Sequence, residues 1–259
     1  MKPNKFKQSI AASGTAAGHM ISDFGTRNIA RIVAAAEPDF VMIDMEHTGY
    51  DTERIADLCA WFRATDIAPF VRVPQGLYHF CARTLDAGAL GIMVANVETA
   101  AQAKEIVDAC KYAPLGRRGV ALGCAHNDFV MPDPVEYFEY ANANTTVIAM
   151  IESPIGVANV DAIAATPGVE VLWVGHYDLT QAMGIPAQFD HPDFLAALSA
   201  VTAAARRHGK QAGIQPGRFE DAEQWRRLGF NVLSWSIDFA VYRAALVSAL
   251  RQVRHILKS

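Results

Sequence analysis

The chain has 259 residues, 51% hydrophobic and 19% charged, with 23 Lys+Arg against 27 Asp+Glu for a net charge of −4. A globular chain of this size buries roughly three quarters of the surface its unfolded form exposes, so a large core is available. No basic surplus exists to attract phosphate backbones or anionic lipid, which argues against nucleic-acid and membrane-surface binding.

The first residues are basic (Lys2, Lys5, Lys7) without the apolar stretch of a signal peptide, and no run approaches the ~18 apolar residues of a membrane span. Cys59, Cys81, Cys110 and Cys124 form no C-x-x-C pair. Reduced, mostly buried thiols in a cytoplasmic protein are the expectation. Along the chain, short apolar runs predict strands over 11–17, 40–44, 69–73, 91–95, 147–151, 171–175, 211–214 and 231–236. Helical spacing of apolar residues fills the intervals, at 51–65, 78–87, 98–109, 157–166, 192–208 and 220–228. Strand and helix in alternation imply parallel strands with right-handed crossovers, and eight such units predict an α/β fold, a (β/α)8 TIM barrel. The segment 111–146 is too long for a plain connection and reads as an extended insertion between strands four and five. An amphipathic terminal helix is expected at about 239–258. No repeat or linker divides the chain, so residues 1–259 are expected to form one domain.

In such barrels chemistry sits where strands end and βα loops begin. The second strand ends Asp44-Met45-Glu46-His47, and the third carries Arg72. The fourth ends at Asn96, the fifth at Glu152-Ser153, and the sixth at Gly175-His176-Tyr177-Asp178. The seventh ends at Gln215, and the eighth runs into Asp238. Each alone is weak, since strand-end polar groups are common. Several carboxylates, a histidine and an arginine on one face point to a metal-assisted site. The bland reading makes Glu152 and Asp178 helix caps or partners of Arg117 or Arg118, and Trp61, Trp173, Trp225 and Trp235 packing residues.

Six segments carry a likeness: Asp39 through His47, Val71-Arg72-Val73-Pro74, Leu85-Asp86-Ala87-Gly88-Ala89, Gly116-Arg117-Arg118-Gly119-Val120, Ile151-Glu152-Ser153 and Val174 through Thr180. In this order and spacing they resemble the HpcH/HpaI aldolase/citrate lyase family, specifically its class II, metal-dependent pyruvate aldolases, from about residue 18 to 253. The resemblance implies a carbon–carbon lyase that cleaves or forms 4-hydroxy-2-keto acids through a pyruvate-type enolate and an aldehyde. It makes Glu152 and Asp178 the ligands of a divalent metal ion, Mg2+ or Mn2+ with Co2+ as a working substitute. Arg72 would contact the keto-acid carbonyl oxygen. Asp44 and His47 would form the acid–base pair, Asp44 hydrogen-bonded to the imidazole, and Glu46 would orient a metal-bound water. The backbone from Gly175 through His176, Tyr177 and Asp178 would hold the keto-acid carboxylate. Family members are commonly hexameric, so a homo-oligomer (trimer or hexamer) with the terminal helix exchanged between subunits is expected.

The chain departs from the family pattern at several of these positions. Met45 stands where the family usually has glycine, and Thr48-Gly49 replace Ala-Pro. His176 replaces a proline. Met150 lies in the substrate pocket where many members have a glutamine, and a thioether donates no hydrogen bond. These changes leave the keto-acid donor open. An oxaloacetate-like 2-keto acid decarboxylase and a non-catalytic keto-acid-binding barrel stand as alternatives. In the insertion, His126 and Asp128 are candidates for an acceptor loop, with a solvent-facing loop as the other reading.

Overall fold

The computed structural model describes residues 1–258. Eight parallel strands form a closed barrel in chain order: β1 (Ala16–Ile21), β2 (Phe40–Asp44), β3 (Ala68–Val73), β4 (Gly91–Val94), β5 (Thr146–Ile151), β6 (Val171–Val174), β7 (Gln211–Ile214) and β8 (Val232–Ile237). The helices are α1 (Lys5–Ser13), α2 (Ile29–Ala34), α3 (Thr52–Phe62), α4 (Tyr78–Asp86), α5 (Ala100–Cys110), α6 (Pro134–Asn144), α7 (Pro154–Ala158), α8 (Val160–Ala165), α9 (His176–Ala182), α10 (Pro192–Arg207), α11 (Phe219–Arg227) and α12 (Asp238–Ile256). Strands β2, β4, β5 and β6 are buried at every position, as a parallel sheet covered by helices requires.

The barrel interior is packed by rings set against glycines. A Cβ on Gly18 would come within 2.4 Å of the Phe40 ring, one on Gly91 within 2.6 Å of Phe70, and one on Gly213 within 2.2 Å of Trp173. Each pair shares a register position across neighbouring strands. The missing side chain on one strand is the space the ring on the next occupies. From below, Phe6 of α1 closes the floor, 3% exposed and edge-on to Phe40 and Phe70.

The predicted first strand is displaced. Residues 11–13 close α1, and β1 starts only at Ala16. Gly14, at φ 71°, ends the helix and sends its N–H to the Ile10 carbonyl. In the run Ala11-Ala12-Ser13-Gly14-Thr15-Ala16-Ala17 the end of a helix and the start of a strand are equally apolar, so hydrophobicity alone merges them. The other seven predicted strands coincide with observed ones to within one or two residues.

Between α5 and β5 the chain makes a loop, a 3-10 turn at Ala125–Asn127, and α6. Lys111 anchors this segment. It is fully buried, with its ammonium donating to the Asn142 carbonyl at 2.6 Å and to Glu170 at 3.0 Å. Helix α12 leaves β8 with Phe239, Val241, Tyr242, Leu246, Val247 and Leu250 41–58% exposed.

Two outcomes test this packing. Gly213→Ala should cost about 1–3 kcal/mol in chemical denaturation, because the backbone or Trp173 must move. Burial pushes the Cys59 thiol up to about 12, and Cys81, hydrogen-bonded with Cys110 and buried, is also raised. Alkylation of the folded protein followed by mass spectrometry should therefore label the half-buried Cys124 first, with Cys59, Cys81 and Cys110 reacting only on unfolding.

Candidate active site

The β2–β3 register sets Asp44 opposite Arg72 at the C-terminal mouth of the barrel. Arg72 donates from Nε to Asp44 Oδ1 at 2.9 Å and from a terminal nitrogen to Oδ2 at 2.8 Å, and its Nε lies 3.2 Å from Glu46 Oε2. Asp44 Oδ1 also accepts the Glu46 N–H at 3.0 Å, which fixes the turn after β2. Burial opposes the charge on Arg72, but the hydrogen bonds and charge of Asp44, with Glu46 and Glu152 behind them, raise its pKa above the ordinary value.

Glu152 follows β5 and is 8% exposed. Its Oε1 accepts the N–H of Asn96 at 2.7 Å. Asn96 is held at φ 51°, a left-handed conformation asparagine tolerates better than most residues, and this turns its N–H toward the carboxylate. Gly175 leaves room for the other oxygen: a Cβ there would lie 2.2 Å from Oε2. Burial first, then the charge of Asp178, pushes Glu152 up to about 7. Glu46 is raised by burial and by Asp44 and Asp178, against the pull of Arg72 and His47. Asp178 lies in the first turn of α9, where the N–H groups of His176, Tyr177 and Asp178 have no acceptor within the helix.

Four carboxylates thus meet around one guanidinium. Oxygen donors with surplus negative charge are what a hard divalent cation neutralises, and the charge of Asp178 adds to burial in raising Glu152. Among the described residues no group of three or more His, Cys, Asp or Glu is placed to hold a metal ion by itself. Glu152 and Asp178 are oxygen donors of the type a hard ion such as Mg2+ accepts alongside water. A cavity of about 620 Å3 brings His47, Arg72, Met150, Gly175, His176, Tyr177 and Asp178 to one wall-lined space. Glu46 faces the adjoining groove with Pro74 and Asn96.

Residues 24–245 match the model of the HpcH/HpaI aldolase/citrate lyase family. The chain belongs to this family. A 5-keto-4-deoxy-D-glucarate aldolase from Salmonella arizonae is 35% identical over 243 residues, which cover 93% of each chain. A crystal structure of an HpcH/HpaI aldolase from Desulfitobacterium hafniense superposes with a TM-score of 0.90 at 29% identity, covering 96% of each chain. A family protein from Burkholderia cenocepacia J2315 gives 0.89 at 34% identity, covering 97% of this chain and 99% of that one. The chain is thus an enzyme of an aldolase and lyase family with a (β/α)8 barrel.

Within this family frame some expected contacts are absent. Asp44 makes no hydrogen bond to the His47 imidazole, because its oxygens are engaged by Arg72 and the turn amides. His47 is instead 66% exposed, with Nε2 3.8 Å from Glu46 Oε2. Arg117 and Arg118 pair with Asp108 and Asp86, not with Glu152 or Asp178, which removes the arginine-partner half of the bland reading of those two acids. His126 and Asp128 do not reach the cavity of this chain. His126 is fully buried, bonded through Nδ1 to the Tyr137 hydroxyl and through Nε2 to the Ala121 carbonyl at 2.7 Å. Asp128 pairs with Arg63 and with the amino group of Met1. Arg63 caps the C-terminus of α3, which lies at the floor of the barrel because α3 runs back against the strands. Both residues order the insertion.

The cavity also takes residues that sequence reading did not place there. Trp173, read as packing alone, pairs with Met150 across β5–β6 and lines the cavity with it. Arg218 and Asp221 enter from the loop after β7 and the start of α11; the only available signal was a charged pair three residues apart following a strand end. Asp238 turns out to be structural: its Oδ2 accepts the N–H groups of Ser22, Asp23 and Phe24.

Glu152 gives a pH prediction with a definite sign. Its folded pKa, about 7, lies above the ordinary 4.5. The stability it contributes is therefore full below about 4.5 and is lost as pH rises through 7. In chelator-treated protein at pH 8, Glu152→Gln should raise the melting temperature by several degrees, at most about 3 kcal/mol, with little change at pH 4.5. Thermal melts at the two pH values check this, and a destabilised variant at pH 8 contradicts it.

Proposed function

We propose that this enzyme is a divalent-metal-dependent class II aldolase that forms or cleaves 4-hydroxy-2-keto acids from a pyruvate-type keto acid and an aldehyde. The observation that carries the reading is the carboxylate cluster of Glu46, Glu152 and Asp178, with Glu152 buried and Asp178 exposed to the cavity, set beside a guanidinium that Asp44 locks in place. The relatives named 5-keto-4-deoxy-D-glucarate aldolases support the same class of keto acid. The same reading includes a cytoplasmic homo-oligomer built on the exposed apolar side of α12.

Glu152 and Asp178 would hold the cation, and when bound it supplies Lewis-acid polarisation of the keto-acid carbonyl. Arg72 cannot swing away from Asp44, so its remaining N–H donors present a fixed positive edge to the oxygen on which charge develops. Such a preorganised donor is typically worth about 3–4 kcal/mol. The unpaired N–H groups at the start of α9 would orient the keto-acid carboxylate. His47, at the rim of the cavity, is placed to take a methyl proton. Glu46, 3.8 Å from Nε2, stabilises the protonated ring. Asp44 acts by positioning Arg72, not the imidazole. The deprotonated carbon then bonds to the aldehyde carbon, the carbonyl π pair moves onto the aldehyde oxygen, and that oxygen takes up a proton. Cleavage runs through the same steps in reverse.

Methyl hydrogen–deuterium exchange of pyruvate, followed by NMR, tests the reading. Exchange should require Mg2+ or Mn2+, stop with EDTA, and vanish in Glu152→Ala. Arg72→Lys should slow it by about 10²–10³-fold. Exchange that persists in EDTA removes the metal from the mechanism. No exchange with any keto acid would sink the aldolase reading and favour the binding barrel.

A further inference from the structure

The loop after β4 holds Glu152 from outside its own strand. Three successive residues of this loop reach the end of β5. The Asn96 N–H donates to Glu152 Oε1 at 2.7 Å, the Val97 N–H donates to the Met150 carbonyl at 2.9 Å, and Glu98 accepts the Ser153 hydroxyl at 2.6 Å. The Glu98 carbonyl also accepts the side-chain amide of Asn159 at 2.8 Å. With Val97 and Glu98 anchored in this way, the conformation at Asn96 decides where its N–H points. Asn96 has φ 51°, in the left-handed region that most side chains avoid. Its side chain is exposed and lines a groove with Glu46, so core packing does not account for the residue. The peptide unit is planar, and ψ at Ala95 with φ at Asn96 sets its direction. A residue that rejects positive φ would reach the negative side most cheaply by rotating the unit between Ala95 and Asn96. The chain path would survive that rotation, and the N–H would leave Oε1.

What the N–H does for Glu152 is choose an oxygen. With Oε1 engaged, Oε2 is left against Gly175, where a Cβ would come within 2.2 Å of it. Gly175 is the N-cap of α9, whose first turn carries Asp178. The amide therefore aims the free oxygen toward the start of α9. A carboxylate without such a partner turns over a broad range about its last torsion, because sp3–sp2 rotation is only weakly restricted. Groups that fix the orientation of a metal ligand from behind are worth about 10–100-fold in metal affinity.

We propose that Asn96 is a positioning residue for the cation site: its left-handed backbone fixes the Glu152 carboxylate with Oε2 free to meet the ion. This rests on the metal-dependent function proposed above. Asn96 acts through its main chain, so the side chain matters only for the φ it permits.

Mn2+ binding to the full chain, read as loss of the free-ion EPR signal, tests this without an assay of turnover. Asn96→Val should weaken Mn2+ binding about 10–100-fold. Asn96→Gly, which keeps positive φ at no steric cost, should stay within about threefold of the wild type. Glu37→Val imposes the same backbone cost, at φ 54° before β2 and so at the opposite end of the barrel, and should leave Mn2+ binding in place. Melting curves in EDTA show whether each variant is folded, and where Asn96→Val is not, Asn96→Ala carries the comparison. Unchanged binding in the folded variant, equal weakening in Asn96→Gly, or the same loss in Glu37→Val overturns the proposal. Mn2+ binding that is absent in the wild type, or that survives Glu152→Ala, overturns the metal reading itself, and this proposal falls with it.

Discussion

Inside the barrel, Phe40, Phe70 and Trp173 each lie against a glycine on the adjacent strand, and the rest of the architecture depends on that fit. A ring and a Cβ cannot share the space, so register is fixed wherever one of these pairs occurs. With Phe6 closing the floor, the lower barrel is filled by packed rings. Polar side chains of the strands are therefore displaced to the other end, where Asp44 ends β2, Arg72 is the last residue but one of β3 and Glu152 follows β5. The site is in this sense a consequence of the core: a slip of one residue between β2 and β3 would separate Asp44 from Arg72 and turn Arg72 to the other face of the sheet.

The mouth of the barrel is electrostatically unbalanced, and the imbalance is organised. A buried ion pair costs desolvation, and the bidentate geometry of Asp44 with Arg72 is what offsets that cost. The pair leaves Glu46, Glu152 and Asp178 without a full counter-charge, and burial first, then the charge of Asp178, raises Glu152 to about 7. Replacing Asp44 would do more than remove one carboxylate. It would free the guanidinium to neutralise Glu46 or Glu152, changing the charge at the mouth of the barrel.

The alternation of strand and helix was legible in the sequence because strands buried on both faces are uniformly apolar, as in Val41-Met42-Ile43 and Val171-Leu172-Trp173-Val174. The start of β1 was not, since alanine serves a helix end and a strand start alike, and only Gly14 marks the change. That Asp44, Glu46, His47, Arg72, Met150, Glu152 and Asp178 gather at one end of the barrel was legible from their places at strand ends. Partner choice was not. Whether Asp44 meets the imidazole next along the chain or a guanidinium on the neighbouring strand depends on register and rotamer, and motifs contain neither. His126 and Asp128 failed as candidates for a related reason: polarity in a loop does not reveal which end of the barrel the loop covers. Arg218 was missed because a charged pair at the start of a helix usually faces solvent.

The departures from the family pattern acquire a physical meaning at this point. His176 looks like an extra titratable group beside Asp178, yet its half-buried ring lies 5.1 Å from Phe189 and 5.2 Å from Trp225, and burial pushes it down to about 4. At neutral pH it is an uncharged packing ring that shapes the cavity wall without altering its charge. Met150 likewise replaces a hydrogen-bonding group with an apolar one and joins Trp173 in lining the cavity. Neither change touches the four carboxylates or the arginine. The charged groups at the barrel mouth and the surfaces that line the cavity wall are therefore carried by different residues, and the departures at His176 and Met150 fall in the second set.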